Sequence, residues 1–533
     1  MGSDIWKETK KPPLFICSNS HGDHNPTIQV RRYLKQGRAK EAFQVYKQLR
    51  CNRSFILNLV PLLVKSCASF ALQDHGKSLH AESIKFGLHS DVVVGTSFVG
   101  MYGKIGGIRD ACKVFNEMVV RNVVTWNAMI GGYFRNGDVC SASMLFNQMG
   151  IRSEVTWIEM IDGFARNGDL VTARKLFNQV PVEMRTVVTW TVMIDGYSSN
   201  GDMESAKEFF EAMPERNFFV WSSMISGYCK IGNVEQAKAI FDQIPVKNLV
   251  NWNSLISGYA QNGYCIEALD AFEQMQSEGF SPDEITVVGA LSACAQNGSL
   301  EYGKKIHNMI HDKMINHNQF VANALVDMYA KCGDLESAIY IFQGMNSRNC
   351  ACWNAMISGF AVNGQSREAI EFFKRMEGSH EKPDELTFLS VLSACAHGGL
   401  VDEGMTIFSQ MENYGLVPNI KHYGCLVDLL ARSGRLREAY SLIKSMPMEP
   451  NDAVLGSMLG ACRIHLNLDI VQGVVDEVRR LNCKAETTDE LHYLSLSNIY
   501  AASEGWENAE RMRATMVNNG FRKAAGCSSI TFQ

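Results

Sequence analysis

Proline is scarce in this chain, with 12 residues among 533 against 43 glycines. Few helix breakers and many residues able to end helices suit short helices joined by tight turns, and weigh against a β-sandwich. Cysteine is not rare, at 16, but no two cysteines form a CxxC pair. Cys350 and Cys352 stand closest, and their i,i+2 spacing points them to different sides of a helix. The cysteines therefore read as buried thiols of a reducing compartment, not as disulfides or metal ligands. Positive charge is not in excess: 51 Lys and Arg stand against 56 Asp and Glu, for a net charge of −5. That excludes a generic coater of nucleic acid, whose affinity comes from phosphate neutralisation, so any such binding must rest on individually placed groups.

Long apolar runs are also missing: none approaches the ~18 residues of a membrane span. The opening stretch MGSDIWKETKKPPLFICSNS lacks a signal-peptide core and arginine, and mixes Lys7, Lys10 and Lys11 with Asp4 and Glu8, a poor transit peptide. Trp6 stands where a myristoylation signal after Gly2 needs Ser or Thr. His80-Ala81-Glu82 fits half of a zinc-deaminase signature, but the Pro-Cys-x-x-Cys half is absent. His307 and His311 have metal-ligand spacing but no third ligand in register. Gly76-Lys77-Ser78 resembles the end of a phosphate loop, yet Ala71 occupies the glycine position that loop requires. No catalytic residue, metal, cofactor, membrane contact or small-molecule substrate is expected.

Periodicity is what the chain has in abundance. Trp126, Trp157, Trp190, Trp221 and Trp252 are spaced by 31, 33, 31 and 31 residues, and Trp353 follows after 101, room for two units of 35 and one of 31. Gly106, Gly137, Gly168, Gly201, Gly232, Gly263, Gly298, Gly333, Gly364, Gly399 and Gly434 mark the same ruler. Each unit reads as two helices. In the unit starting at Val123, Trp126, Met129, Ile130 and Tyr133 form one helical stripe, and Gly137 ends that helix. The second helix carries Ala142, Phe146 and Met149 on one face, a trio repeated as Ala206/Phe210/Met213, Ala268/Phe272/Met275, Ala338/Phe342/Met345 and Ala369/Phe373/Met376. One such hairpin cannot bury its apolar face alone, so neighbours must stack into a solenoid. Repeat boundaries fall at 23, 57, 92, 123, 154, 187, 218, 249, 284, 319, 350, 385 and 420, the first two units being degenerate. The expected organisation is a disordered segment over 1–22, tandem repeats of 31–36 residues over 23–451, and a helical extension over 452–533.

VVTWNAMIGGY (123–133), NLVNWNSLISGYAQNG (248–263), VANALVDMYAKCGDLESA (321–338) and LTFLSVLSACAHGGLVDEG (386–404), with the mixture of unit lengths, resemble the pentatricopeptide repeat family of plants in its PLS class. HYGCLVDLLARSGRLREAYSLIKSMPMEPN (422–451), LGACRIHLNLDI (459–470), YLSLSNIYAASEGWENAERMR (493–513) and AAGCSSI (524–530) are similar to the last short repeat and E-type extension of RNA-editing specificity factors, although Leu455 stands where the family has Trp. With the sequence running to Gln533, the deaminase-like DYW domain of some relatives is not expected. The resemblance implies an all-α, right-handed superhelical solenoid. It also implies a non-enzymatic factor that binds single-stranded RNA and directs C-to-U editing of organellar transcripts, with a deaminase-domain protein recruited in trans. The compartment it implies is the mitochondrion, with the chloroplast as alternative. Other readings are a protein-binding scaffold of the tetratricopeptide kind, and RNA binding for transcript stability or splicing.

The resemblance further implies that the fifth and last residues of each repeat contact one base. Uracil and guanine offer a ring N–H that wants an acceptor such as Asp, whereas adenine and cytosine offer a bare ring nitrogen that wants a donor. A short fifth residue leaves room for a purine and a longer Asn reaches a pyrimidine. On this scheme Thr96/Asn122, Thr191/Asn217 and Ser222/Asn248 read A, Asn127/Ser153 reads C, Asn253/Asp283 and Asn354/Asp384 read U, and Asn323/Asn349 reads a pyrimidine. Ile158/Thr186 and Val288/Asn318 are unreadable, and Leu389 and Gly424 give no assignment, so the target is 5′-A-C-n-A-A-U-n-Y-U-3′. The same residue types also cap helix N-termini, the bland explanation of each position taken singly.

Overall fold

The computed structural model describes residues 26–465, apart from 36–37, 49–52, 71, 89, 314, 316–317, 346 and 380, together with 473–474, 497, 507, 510–511 and 513–515. The segment 1–22 and most of 452–533 lie outside the described residues. Every regular element among the described residues is a helix. First helices of repeats begin at Val92, Val123, Glu154, Val187, Phe218, Leu249, Glu284, Gln319, Cys350, Glu385 and Ile420, the positions at which the glycine ruler divides the chain. The two degenerate units begin instead at Pro26 and Arg53, against 23 and 57 from sequence. The helix Arg53–Ser69 is longer than its counterparts and contains Pro61, and no ruler glycine marks its end.

The ruler glycines serve a backbone purpose. All eleven have left-handed φ, between 66° at Gly399 and 88° at Gly333, where a Cβ would be strained. After the helix Val123–Arg135, Gly137 N–H donates to Phe134 O and Asp138 N–H to Tyr133 O, a Schellman closure. Asp138 then caps the second helix of that repeat, Val139–Gln148, by accepting from Ser141 N–H at 3.0 Å.

The chain divides into two compact units, residues 1–244 and 245–533. In the first, consecutive first helices approach so closely that a Cβ on Gly103 would stand 2.8 Å from Gly132 Cα. Asn136 Nδ2 ties the same helices together by donating to Gly103 O at 2.9 Å, and Asn200 does so to Ala165 O at 2.9 Å. In the second unit Asn363 donates to Ala330 O at 2.7 Å, and a Cβ on Gly359 would meet Ala330 Cβ at 2.3 Å.

The Ala/Phe/Met trios pack inward, with only Met345 half-buried. The phenylalanine of three trios meets the edge of the next repeat's tryptophan, in Phe146–Trp157 at 5.2 Å, Phe210–Trp221 at 4.8 Å and Phe342–Trp353 at 4.8 Å between ring centroids, and Phe373 meets Phe388 at 5.4 Å. Arginines at the penultimate repeat position complete the joint. Arg348 lies over the Phe342 ring while its Nε donates to Phe342 O at 2.9 Å and its Nη2 to Gln343 O at 2.8 Å, satisfying carbonyls at a helix C-terminus. Arg121, Arg152, Arg185 and Arg216 repeat the arrangement in the first unit. Arg348→Ala should lower unfolding free energy by about 1.5–3 kcal/mol, the range for charge-assisted hydrogen bonds, read from the shift in urea midpoint. The described cysteines are free thiols, and burial pushes Cys294, Cys352 and Cys395 up to about 12, which leaves them unreactive.

Candidate nucleic-acid interface

The last residue of a repeat is the residue that starts the next helix. Asn122 Oδ1 accepts from Thr125 N–H at 2.9 Å, Ser153 Oγ from Thr156 N–H at 3.3 Å, and Asn217 Oδ1 from Val220 N–H at 2.9 Å. In the second unit Asn248, Asp283, Asn349 and Asp384 accept from Asn251, Thr286, Cys352 and Thr387 N–H at 3.0, 2.9, 3.1 and 2.8 Å. Capping is thus real at all seven positions, and it does not compete with base reading, because it fixes how each side chain faces. An asparagine cap commits Oδ1 to the helix and leaves Nδ2, a donor, at its other end. An aspartate cap commits Oδ1 and leaves Oδ2, an acceptor. Which end of an amide faces outward is otherwise a free choice.

The fifth residues sit one turn into the helix and are largely covered. Asn127, Ser222, Asn253 and Asn354 are buried, and Thr96, Thr191 and Asn323 are half-buried. The reason is local: in four pairs the fifth residue reaches a side chain at the start of the following repeat's first helix. Asn253 Nδ2 donates to Asp283 Oδ1 at 3.0 Å and Oδ2 at 3.2 Å, and Asn354 Nδ2 donates to Asp384 Oδ1 at 3.0 Å. Asn323 Nδ2 donates to Asn349 Oδ1 at 3.2 Å. Thr96 reaches Asn122 through Thr125, by contacts of 2.7 and 3.0 Å.

Two expected pairs are not joined. Thr191 Oγ1 donates to Val187 O of its own helix at 2.7 Å, a back-bond that turns its hydroxyl away from Asn217. Asn127 has no bond to Ser153, and its Oδ1 is buried without a partner. Ser222 and Asn248 belong to different units: Ser222 is buried in Phe218–Lys230, and Asn248 caps Leu249–Gln261.

Burial alone would push the Asp384 carboxyl up. Hydrogen bonds from Thr387 N–H and from the Cys350, Asn354 and Thr387 side chains outweigh it and hold the group below the usual carboxylate range. Asp384 is therefore an anion at neutral pH and can only accept.

Sequence reasoning missed two positions. In five first helices the third residue, Thr125, Thr156, Asn251, Thr286 or Thr387, bonds to the capping residue three places before it. The signal was the recurring VVT, EVT, LVN, EIT and ELT wording. The second residue forms an exposed apolar series: Val93, Val124, Val155, Val188 and Phe219 in the first unit, and Val250, Ile285, Phe320 and Leu386 in the second. Each lies three residues before a fifth residue and so on the same helical face. Each fifth-and-last pair thus has an apolar neighbour suited to a flat base and unsuited to phosphate.

Residues 121–154, 247–296 and 351–397 match the PPR repeat family, and residues 96–123, 155–182, 188–218, 219–249, 320–350, 386–416 and 421–449 match the PPR repeat. These matches span more than half of the chain. Residues 480–531, most of which lie outside the described residues, match the E motif. The chain is 47% identical over 513 residues to the pentatricopeptide repeat-containing protein At3g21470 of Arabidopsis thaliana, covering 96% of this chain and 98% of that one. It is 35% identical over 504 residues to the chloroplastic pentatricopeptide repeat-containing protein At1g11290 of Arabidopsis thaliana, covering 94% and 59%. The crystal structure of the pentatricopeptide repeat protein PPR10 from maize has the same fold, with a TM-score of 0.52 at 17% identity over 93% of this chain and 79% of that one.

Proposed function

Because this chain belongs to the pentatricopeptide repeat family, we propose that it is a sequence-specific single-stranded RNA-binding protein that reads one base per repeat through the fifth and last side chains. The observation that carries this reading is the recurrence, at Asn122, Asn217, Asn248, Asp283, Asn349 and Asp384, of a polar side chain that caps a helix with one atom and keeps a defined donor or acceptor at its other end. The readable pairs spell 5′-A-C-n-A-A-U-n-Y-U-3′. Their composition also favours RNA over a protein-binding groove: the pair positions hold Thr, Ser, Asn and Asp, without Lys, Arg or aromatic side chains. The net charge of −5 leaves specificity to these placed groups.

The cellular role in this reading is site recognition for C-to-U editing, with a deaminase-domain protein recruited through the stretch from 452 onward. The match of residues 480–531 to the E motif supports it. The compartment is an organelle, the mitochondrion first and the chloroplast as the alternative that one relative's name brings forward.

The test is binding to a synthetic RNA carrying the string, by the native chain and by Thr191→Asn with Asn217→Asp. The native chain should prefer A at the fourth base. The double variant should move that preference to U, by roughly 5- to 150-fold if one base contact contributes about 1–3 kcal/mol. Binding to neither RNA would leave the scaffold reading in its place.

A further inference from the structure

We infer that the third residue of each first helix sets how sharply the pair before it discriminates uracil from cytosine, acting as a positioning residue for the fifth and last side chains. This rests on the RNA reading above. The argument is a contrast among neighbouring pairs. At Asn253/Asp283 the third residue of the following helix is Thr286, whose one hydroxyl proton is shared between Asn253 Oδ1 at 2.6 Å and Asp283 Oδ1 at 2.8 Å and whose oxygen accepts from Asp283 N–H at 3.2 Å. At Asn354/Asp384, Thr387 makes the same contacts at 2.6, 2.8 and 3.1 Å. Each asparagine amide is thereby held at both ends, oxygen on the threonine and nitrogen on the carboxylate. A turned amide would set its oxygen against the carboxylate, so the amide is locked.

At Asn323/Asn349 the third residue is Cys352, whose thiol donates to Met345 Sδ, and Asn323 Oδ1 is buried without a partner. At Asn127/Ser153 the Thr156 hydroxyl is occupied with Ser153, and Asn127 Oδ1, on a side chain 9% exposed, is likewise orphaned. A buried amide oxygen without a donor is costly and takes one when it arrives. Cytosine brings its exocyclic amine, whereas uracil brings a carbonyl at the same place. The threonine hydroxyl therefore removes an acceptor that cytosine would use, and its absence leaves that acceptor free.

The test compares Kd for two RNAs that differ only by U or C at the base assigned to Asn253/Asp283, for the native chain, Thr286→Val and Thr286→Ser, with thermal melts alongside. The U-over-C ratio should fall about three- to tenfold in the valine variant, the weight of one neutral hydrogen bond, and return in the serine variant. An independent arm needs no loss of a contact: Cys352→Thr should raise the U-over-C ratio at the Asn323/Asn349 base by a similar factor. If Thr286→Val weakens both RNAs equally and Cys352→Thr leaves its ratio unchanged, the third residue is a helix cap alone and the inference falls. A native chain indifferent to both bases would instead overturn the RNA reading from which the inference starts.

Discussion

Asp283→Asn combined with Asp384→Asn should relax two uracil positions of the bound RNA so that cytosine is accepted as well. In the native chain each aspartate keeps a carboxylate oxygen beyond the one committed to its helix cap, and the Asp384 carboxyl is held ionised by its hydrogen bonds. A carboxylate accepts from the ring N–H of uracil and repels the bare ring nitrogen of cytosine. The amide that replaces it can keep the cap through its oxygen, as Asn122 and Asn217 do, and then presents a donor. At about 1–3 kcal/mol per base, and with the sites far enough apart for their effects to add, the preference for the uracil RNA over the cytosine RNA should fall by roughly 30- to 20,000-fold. Selection from a pool randomised at both positions reads this directly. Unchanged enrichment of uracil would refute the assignment of the last residue.

The largest loss of stability should follow Phe342→Ala. Phe342 is 1% exposed, and it packs edge-on against Trp353 at 4.8 Å and beside Phe372 at 5.7 Å, with the Arg348 guanidinium above its ring. Removal leaves a cavity at the joint between two repeats and takes away the surface on which the arginine rests. Such truncations cost about 3–5 kcal/mol. In a stack where each hairpin contacts only its neighbours, the damage stays local, so urea unfolding should lose cooperativity as well as midpoint. A single sharp transition at the native midpoint would contradict this account of the joint.

The architecture was legible in the sequence wherever a physical demand admits few residue types. A left-handed turn demands a residue without a Cβ, and Gly137 and its ten counterparts were visible for that reason. The Phe–Trp contact between repeats needs large apolar partners, so Trp126 and its periodic companions stood out. The first two units lack these markers: Pro61 lies inside a long helix and Ala71 replaces the glycine, and the helix Arg53–Ser69 begins four residues before the boundary at 57. The capping role of Asn122 or Asp283 was legible as a residue preference. The burial of Asn253 and the task of Thr286 were not, because Thr286 Oγ1 and Asn253 Oδ1 lie 33 residues apart in sequence and meet only when neighbouring repeats stack. The orphaned oxygens of Asn127 and Asn323 leave no trace in sequence at all.

Helix capping also bounds what the protein can be taught to recognise. A side chain at the end of a repeat must start the next helix before it can address a base, and only short heads with an oxygen near the backbone do that well. The usable alphabet at that position is therefore close to Asn, Asp, Ser and Thr. A lysine, glutamine or leucine placed there would lose the helix start together with the letter, so rewriting this chain for a new message is a choice within four symbols, not twenty.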